Sequence, residues 1–270
     1  MASQLSTEQR AGLKELLNNL KRGQALFRRY VLPIYENDDQ RQPSLFGTAL
    51  VVEHRGSIFL VTAKHVLAPL ATGRNLYVYS TPSQRRHLGG QITWNRSNGS
   101  TDSVDVGVLK LEREGVPPYP EVGCEPLPSS LLAPGTEERE GKYYLAIGYP
   151  ATRSRVNKQS KIVTAEPYAN FGPAISTERL TRLGLDPHLH IAIAFHKGRV
   201  FGASGNIQSF PDPAGMSGSP LFLIYDTAAA NNVWGAFKVA GTLIEYRAKE
   251  QILLSTDIAV AIELMNRCLD

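Results

Sequence analysis

Cysteine is nearly absent from the 270 residues: Cys124 and Cys268 are the only two. Two thiols make no disulfide framework, so the fold must be held by a packed core, and a reducing compartment is expected. Long apolar runs are also missing, and no stretch approaches the length that crosses a bilayer. The opening residues, Met1 to Arg10, lack the apolar stretch and small-residue cleavage site of a secretory signal, which gives an expectation of cytoplasmic residence. Charge of one sign is not in excess either. The formal net charge is +4, and the basic residues are scattered through Arg28-Arg29, Arg85-Arg86 and Arg153 to Lys161 rather than gathered into one patch. Nucleic acid is therefore not an expected partner, and neither is a membrane. His188, His190 and His196 share a strand face by alternation, but no cysteine or carboxylate cluster accompanies them, so neither a metal nor a cofactor is expected.

What is present is a hydrophobic fraction of 42%, enough for a substantial core. Ser6 followed by Gln9 reads as a capped helix start, and Leu13, Leu16, Leu17 and Leu20 fall on one face before Gly23. From Phe46 onward the pattern is one of short strands between turn signals. Thr48 to Val52 and Ile58 to Thr62 form a hairpin across Glu53-His54-Arg55-Gly56. Further strands follow at 76–79, 91–94, 104–111, 142–149, 161–165, 190–195, 220–225, 233–246 and 251–255. Thr177 to Leu183 reads as a helical turn, and Asp257 to Leu269 as a closing helix with Ile258, Ala261, Ile262 and Met265 on its apolar side. Residues 115–134 are Pro-rich loop. The expected fold class is all-β, one or two barrels, with helices at the chain ends.

Three segments carry chemistry. His65 closes the apolar strand Val61-Thr62-Ala63-Lys64-His65. Asp105 heads the alternating run Asp105-Val-Gly-Val-Leu-Lys-Leu111. Ser217 lies in Gly215-Met-Ser-Gly-Ser-Pro220, a glycine-flanked turn in which successive N–H groups can converge. Each taken singly has a plain structural explanation: a core histidine, a strand cap, a hairpin loop. Together they run His, Asp, Ser. An α/β-hydrolase needs its histidine after the serine, and no histidine follows Ser217. The subtilisin order would need an aspartate before His65, where Asp38 and Asp39 sit in a polar loop.

These segments resemble the signature motifs of the trypsin/chymotrypsin-like serine proteases, with Gly47-Thr48-Ala49-Leu50-Val51, Gly148-Tyr149-Pro150 and Val239-Ala-Gly-Thr-Leu243 as supporting matches. The resemblance implies two six-stranded β-barrels of the trypsin-like type with an N-terminal and a C-terminal helix. Residues 1–45 would form the N-terminal helix and lead-in, and residues 46–270 the protease domain. Within it, barrel one would span about 46–115, barrel two about 140–256, and the last helix 257–269. It implies a serine endopeptidase in which Ser217 attacks, His65 carries the proton, Asp105 orients His65, and the N–H groups of Gly215 and Ser217 bind the oxyanion. The alternative is a catalytically silent binding scaffold of the same fold.

Two departures stand out. Met216 occupies the position where secreted members hold an aspartate for a freed N-terminal amine, so activation by N-terminal clipping is not expected. Ser219 replaces a glycine. By loop spacing Pro211 or Asp212 would lie near the base of the primary pocket, with Ile244 to Tyr246 along its wall. Tyr246 would make that pocket shallow, suited to small or apolar side chains; the alternative is that Asp212 attracts Lys or Arg. Expected partners are a protein or peptide substrate and a regulatory protein docking on the N-terminal helix.

Overall fold

The computed structural model describes residues 27–95, 104–112, 124–133, 135, 139, 142–157, 162–198, 200–201, 207–224 and 237–270. The expected N-terminal helix lies outside the described residues. In chain order the first half comprises β1 (Val31–Asn37), β2 (Pro43–His54), β3 (Ser57–Ala63), α1 (Lys64–Ala71), β4 (Tyr77–Thr81), β5 (Gln84–His87), β6 (Gly90–Trp94), β7 (Val106–Leu111) and β8 (Leu127–Pro128). The strands form one curled sheet in the order β5-β4-β1-β2-β3-β7-β6, with β8 running parallel to β2. The second half comprises β9 (Tyr143–Gly148), β10 (Ser154–Asn157), β11 (Ile162–Ala165), β12 (Tyr168–Pro173), α2 (Thr177–Arg182), β13 (His190–Ala194), β14 (Val200–Phe201), β15 (Ile207–Gln208), β16 (Pro220–Ile224), β17 (Phe237–Arg247), β18 (Ile252–Asp257) and α3 (Ile258–Arg267). Its main sheet runs β12-β9-β16-β17-β18-β13. An Ala174–Ile193 bridge then brings the end of β12 back to β13 and closes the curl. The fold is all-β, two curled antiparallel sheets.

The central strands of each sheet, such as β2, β3, β7, β9 and β16, are buried on both faces, which explains why they read as nearly continuous apolar runs. In β2, Ala49 and Val51 point into the interior of the first sheet with Leu60, Leu67 and Leu109. Leu50 and Val52 point the other way, into a core shared with Leu145, Ile147, Phe222 and Val239 of the second sheet. This alternation follows from the period of two along a strand. Helix α3 covers the same shared core through Ile258, Ala261, Leu264 and Met265, each large apolar side chain worth about 1.5–3 kcal/mol of burial. Asp257 caps that helix by accepting the Ala259 N–H at 2.7 Å, and it pairs with Arg139 of the inter-sheet connection.

Two expectations need correction. The first sheet starts at Val31 rather than near residue 46, because β1 pairs with β2 along its whole length. Its sequence shows no period, since Leu32 and Ile34 face one core while Val31 and Tyr35 face another. The second concerns His65, which does not close the strand: β3 ends at Ala63, and His65 stands in the first turn of α1.

Candidate active site

Asp105 is placed by β7. Val106 pairs with Ala63, so the residue before Val106 faces the residues that follow Ala63. The N-cap of α1 is Ala63, which has no side chain to satisfy the orphan N–H groups of a helix start. Asp105 does so from across the ladder. Its carbonyl takes the Lys64 N–H at 3.1 Å and its Oδ1 takes the His65 N–H at 3.0 Å. The second carboxylate oxygen, Oδ2, is bonded to His65 Nδ1. A carboxylate offers only acceptors, so Nδ1 carries a proton, and in the neutral imidazole Nε2 is the nitrogen with the lone pair.

Ser217 is held on the other side of the sheet junction. Its carbonyl accepts the Thr48 N–H at 2.8 Å, and the next residue, Gly218, donates to the Leu243 carbonyl at 2.7 Å. Gly47, beside Thr48, lies hard against Val66, beside His65: a Cβ there would sit 2.6 Å from Val66 Cγ1. The histidine helix and the serine loop thus flank the same two residues of β2. Among the described residues the Ser217 hydroxyl and His65 make no hydrogen bond. Ser217 is half-buried and His65 exposed.

The carbonyls of residues 214–217 are all engaged. Ala214 accepts from Ala151 N–H at 2.7 Å, Gly215 from Thr48 Oγ1 at 2.9 Å, and Met216 from the N–H and hydroxyl of Ser219 at 2.9 and 2.6 Å. Two N–H groups, those of Gly215 and Ser217, donate to nothing among the described residues. Gly215 has φ +90, and a Cβ there would come within 2.9 Å of Ala151 N and Tyr149 O, so only glycine fits. Met216 is wholly buried among Ile191, Phe210, Leu221 and Leu243.

A cavity of about 590 Å³ opens between the sheets. Its lining includes Lys64, His65, Ala68 and Asp105 from the first half and Ile244, Glu245, Arg247 and Leu254 from the second. Both Ile244 and Glu245 reach it because the β17–β18 register shifts between Leu243 and Glu245, leaving Ile244 as the extra residue of a bulge. Glu245 accepts from Arg247 Nε at 2.9 Å.

Of the residues expected to form the primary pocket, Ile244 and Glu245 from the 244–246 wall are among this cavity's lining, while Pro211, Asp212 and Tyr246 are not. Tyr246 packs edge-on against Phe195, with ring centroids 5.1 Å apart, and Phe195 in turn meets Phe210. Pro211 is half-buried. Asp212 is exposed: it accepts the Ala214 N–H and pairs with Lys197, and these two bonds hold its carboxyl below the usual carboxylate range. Sequence reasoning missed the contributions of Lys64 and Arg247 to the cavity wall. Thr48 and Ser219 lay inside quoted motifs, but nothing in their residue type showed what their hydroxyls bind. Of the histidines, His190 lies in β13 with its Nδ1 at 3.0 Å from the Asp186 carbonyl. Among the described residues no three of His, Cys, Asp or Glu stand close enough together to hold a metal ion. No helix among them is long and apolar enough to cross a membrane.

No protein-family model matches the sequence, and no curated protein matches it. Solved structures do. Mouse neuropsin, a serine protease expressed in the limbic system of the brain, superposes with a TM-score of 0.53 at 14% identity. The match covers 90% of this chain and 95% of that one. With two curled antiparallel sheets enclosing a cavity at their junction, the chain has the two-barrel fold of the trypsin-like serine proteases.

Proposed function

We propose that the protein is a serine-type endopeptidase in which Ser217, His65 and Asp105 cut peptide bonds through an acyl-enzyme. The observation that carries this reading is the Asp105–His65 pair on the wall of the cavity between the sheets. It leaves Nε2 as a base with its tautomer already chosen. In the reaction His65 Nε2 takes the Ser217 proton as Oγ attacks the substrate carbonyl. The oxyanion that forms accepts from the Gly215 and Ser217 N–H groups, and each such donor contributes about 10²–10³ in rate. The imidazolium then returns the proton to the leaving amine. Water repeats the sequence against the acyl ester and frees Ser217. The hydroxyl–imidazole bond, unmade in the free protein, forms when a substrate bound across His65 and Ser217 completes the site.

The substrate reads as an extended protein segment laid between the sheets. Lys64, Glu245 and Arg247 give the cavity a charged rim over an apolar floor of Ile244 and Leu254. A small or apolar residue at the cleavage point follows from the aromatic packing of Phe195, Phe210 and Tyr246, with Asp212 already paired. The work belongs in a reducing compartment such as the cytoplasm, since Cys124 and Cys268 are both free and buried.

The test is a fluorophosphonate probe applied to the wild type and to Ser217→Ala, followed by a peptide-library profile. Labelling that depends on Ser217, with cleavage after small or apolar residues, is the expected result. A wild type that neither labels nor cleaves would instead identify a binding scaffold. Strong cleavage after Lys or Arg would reject the pocket assignment alone.

A further inference from the structure

A trans peptide group is planar, so its C=O and the N–H of the next residue point in opposite directions. Pinning a carbonyl therefore aims the following N–H. The Ala214 carbonyl is pinned by Ala151 N–H, which turns the Gly215 N–H away from Ala151. The Met216 carbonyl is pinned by the N–H and hydroxyl of Ser219, which turns the Ser217 N–H the other way from them. Between these, the Gly215 carbonyl is held by Thr48 Oγ1 and the Ser217 carbonyl by Thr48 N–H.

Thr48 is fully buried, and each of its polar groups is in use. Its hydroxyl donates to Gly215 O and accepts the Tyr149 N–H at 3.0 Å, while its carbonyl takes the Thr62 hydroxyl at 2.6 Å. Tyr149 is two residues from Ala151, so one hydroxyl ties the serine loop to the segment that supplies the outer pin. Ser219 is equally buried. Met216, between the two donors, contributes only apolar packing and no charge for a partner to grip.

We infer that Thr48 and Ser219 are positioning residues whose hydroxyls keep the Gly215 and Ser217 N–H groups aimed at a developing oxyanion, with no ion pair or partner needed to set them. This rests on the proposed function above. Neither residue touches substrate: each acts through the peptide groups it holds. Without the Thr48 hydroxyl, the Gly215 carbonyl and the Tyr149 N–H lose their partner in one step, and the loop is free to turn its donors out of line.

The experiment compares, for wild type, Thr48→Val, Thr48→Ser, Ser219→Ala and Ser217→Ala, the rate of fluorophosphonate labelling and the affinities for a peptide boronate and the matching peptide carboxamide. The boronate mimics the tetrahedral oxyanion and the carboxamide does not. Thr48→Val and Ser219→Ala should slow labelling and weaken boronate binding about 10- to 100-fold. Carboxamide affinity should stay within about twofold, and Thr48→Ser should recover most of the loss. Should Thr48→Val fail to fold, Ser219→Ala carries the same expectation alone. A folded variant with the wild-type boronate-to-carboxamide ratio, or with both affinities lowered equally, overturns the inference while Ser217-dependent labelling of the wild type leaves the protease reading intact. A wild type with no such labelling overturns both.

Discussion

Asp105 grips His65 twice, at the backbone N–H through Oδ1 and at the ring through Oδ2. One side chain therefore both caps the start of α1 and selects the imidazole tautomer. Substitution separates the two effects. Asp105→Asn keeps an acceptor for the backbone N–H but no longer demands a proton on Nδ1. Its hydrolytic rate should fall about 10⁴-fold with little change in melting temperature. Asp105→Ala removes the cap as well, and should add a loss of about 1 kcal/mol of stability. Measuring activity and thermal unfolding on both variants checks this. An active Asp105→Asn would mean the carboxylate serves the helix and not the ring.

Met216 tests whether the serine loop tolerates an ionisable side chain beneath it. Its environment is Phe210, Leu221, Leu243 and Leu253, all buried, with no cation among them. Met216→Asp should cost about 3–5 kcal/mol, because an unpaired carboxylate is expensive to bury. Burial would raise the new carboxyl above its unfolded value. The deficit relative to wild type should therefore grow as pH rises through that raised value and shrink in acid. Met216→Leu should stay within about 1.5 kcal/mol of wild type. Thermal melts of both across the acidic range decide the matter, and a Met216→Asp as stable as wild type near neutrality would reveal a hidden cationic partner.

The contrast between these two residues shows what a sequence can disclose here. The apolar runs around His65, Asp105 and Ser217 were legible because strand periodicity and turn glycines are local, and the order of the three motifs was specific. Strand β1 was not, since Val31 and Tyr35 pack in one cluster and Leu32 and Ile34 in another, which leaves no alternation to read. Helix α1 was missed because its cap comes from Asp105, forty residues away, and not from the preceding Ala63. The lining by Ile244 and Glu245 together depends on a register shift between β17 and β18, which no single strand encodes. Thr48 and Ser219 are the same kind of case: a hydroxyl announces that it can bond, while the fold decides to what.

Tyr35 offers a measurement that needs no knowledge of substrate. Its ring is buried between Tyr77 and Tyr79 on the first sheet. The nearest side-chain partner of its hydroxyl is Ser154 Oγ at 3.5 Å, on the β10–β11 hairpin. Burial pushes the phenol from its ordinary value near 10 to about 12. Because the folded value is the higher one, the stabilisation is complete below pH 10 and drains away as pH climbs toward 12. At about 1.4 kcal/mol per pH unit, roughly 2–3 kcal/mol is at stake across that window. Tyr35→Phe has no proton to lose at this position, so its melting temperature should fall less steeply than the wild type's above pH 10. Tyr77, also pushed to about 12, should keep some alkaline loss in both proteins. Parallel curves for wild type and variant would show that the Tyr35 hydroxyl is already open to water through the hairpin.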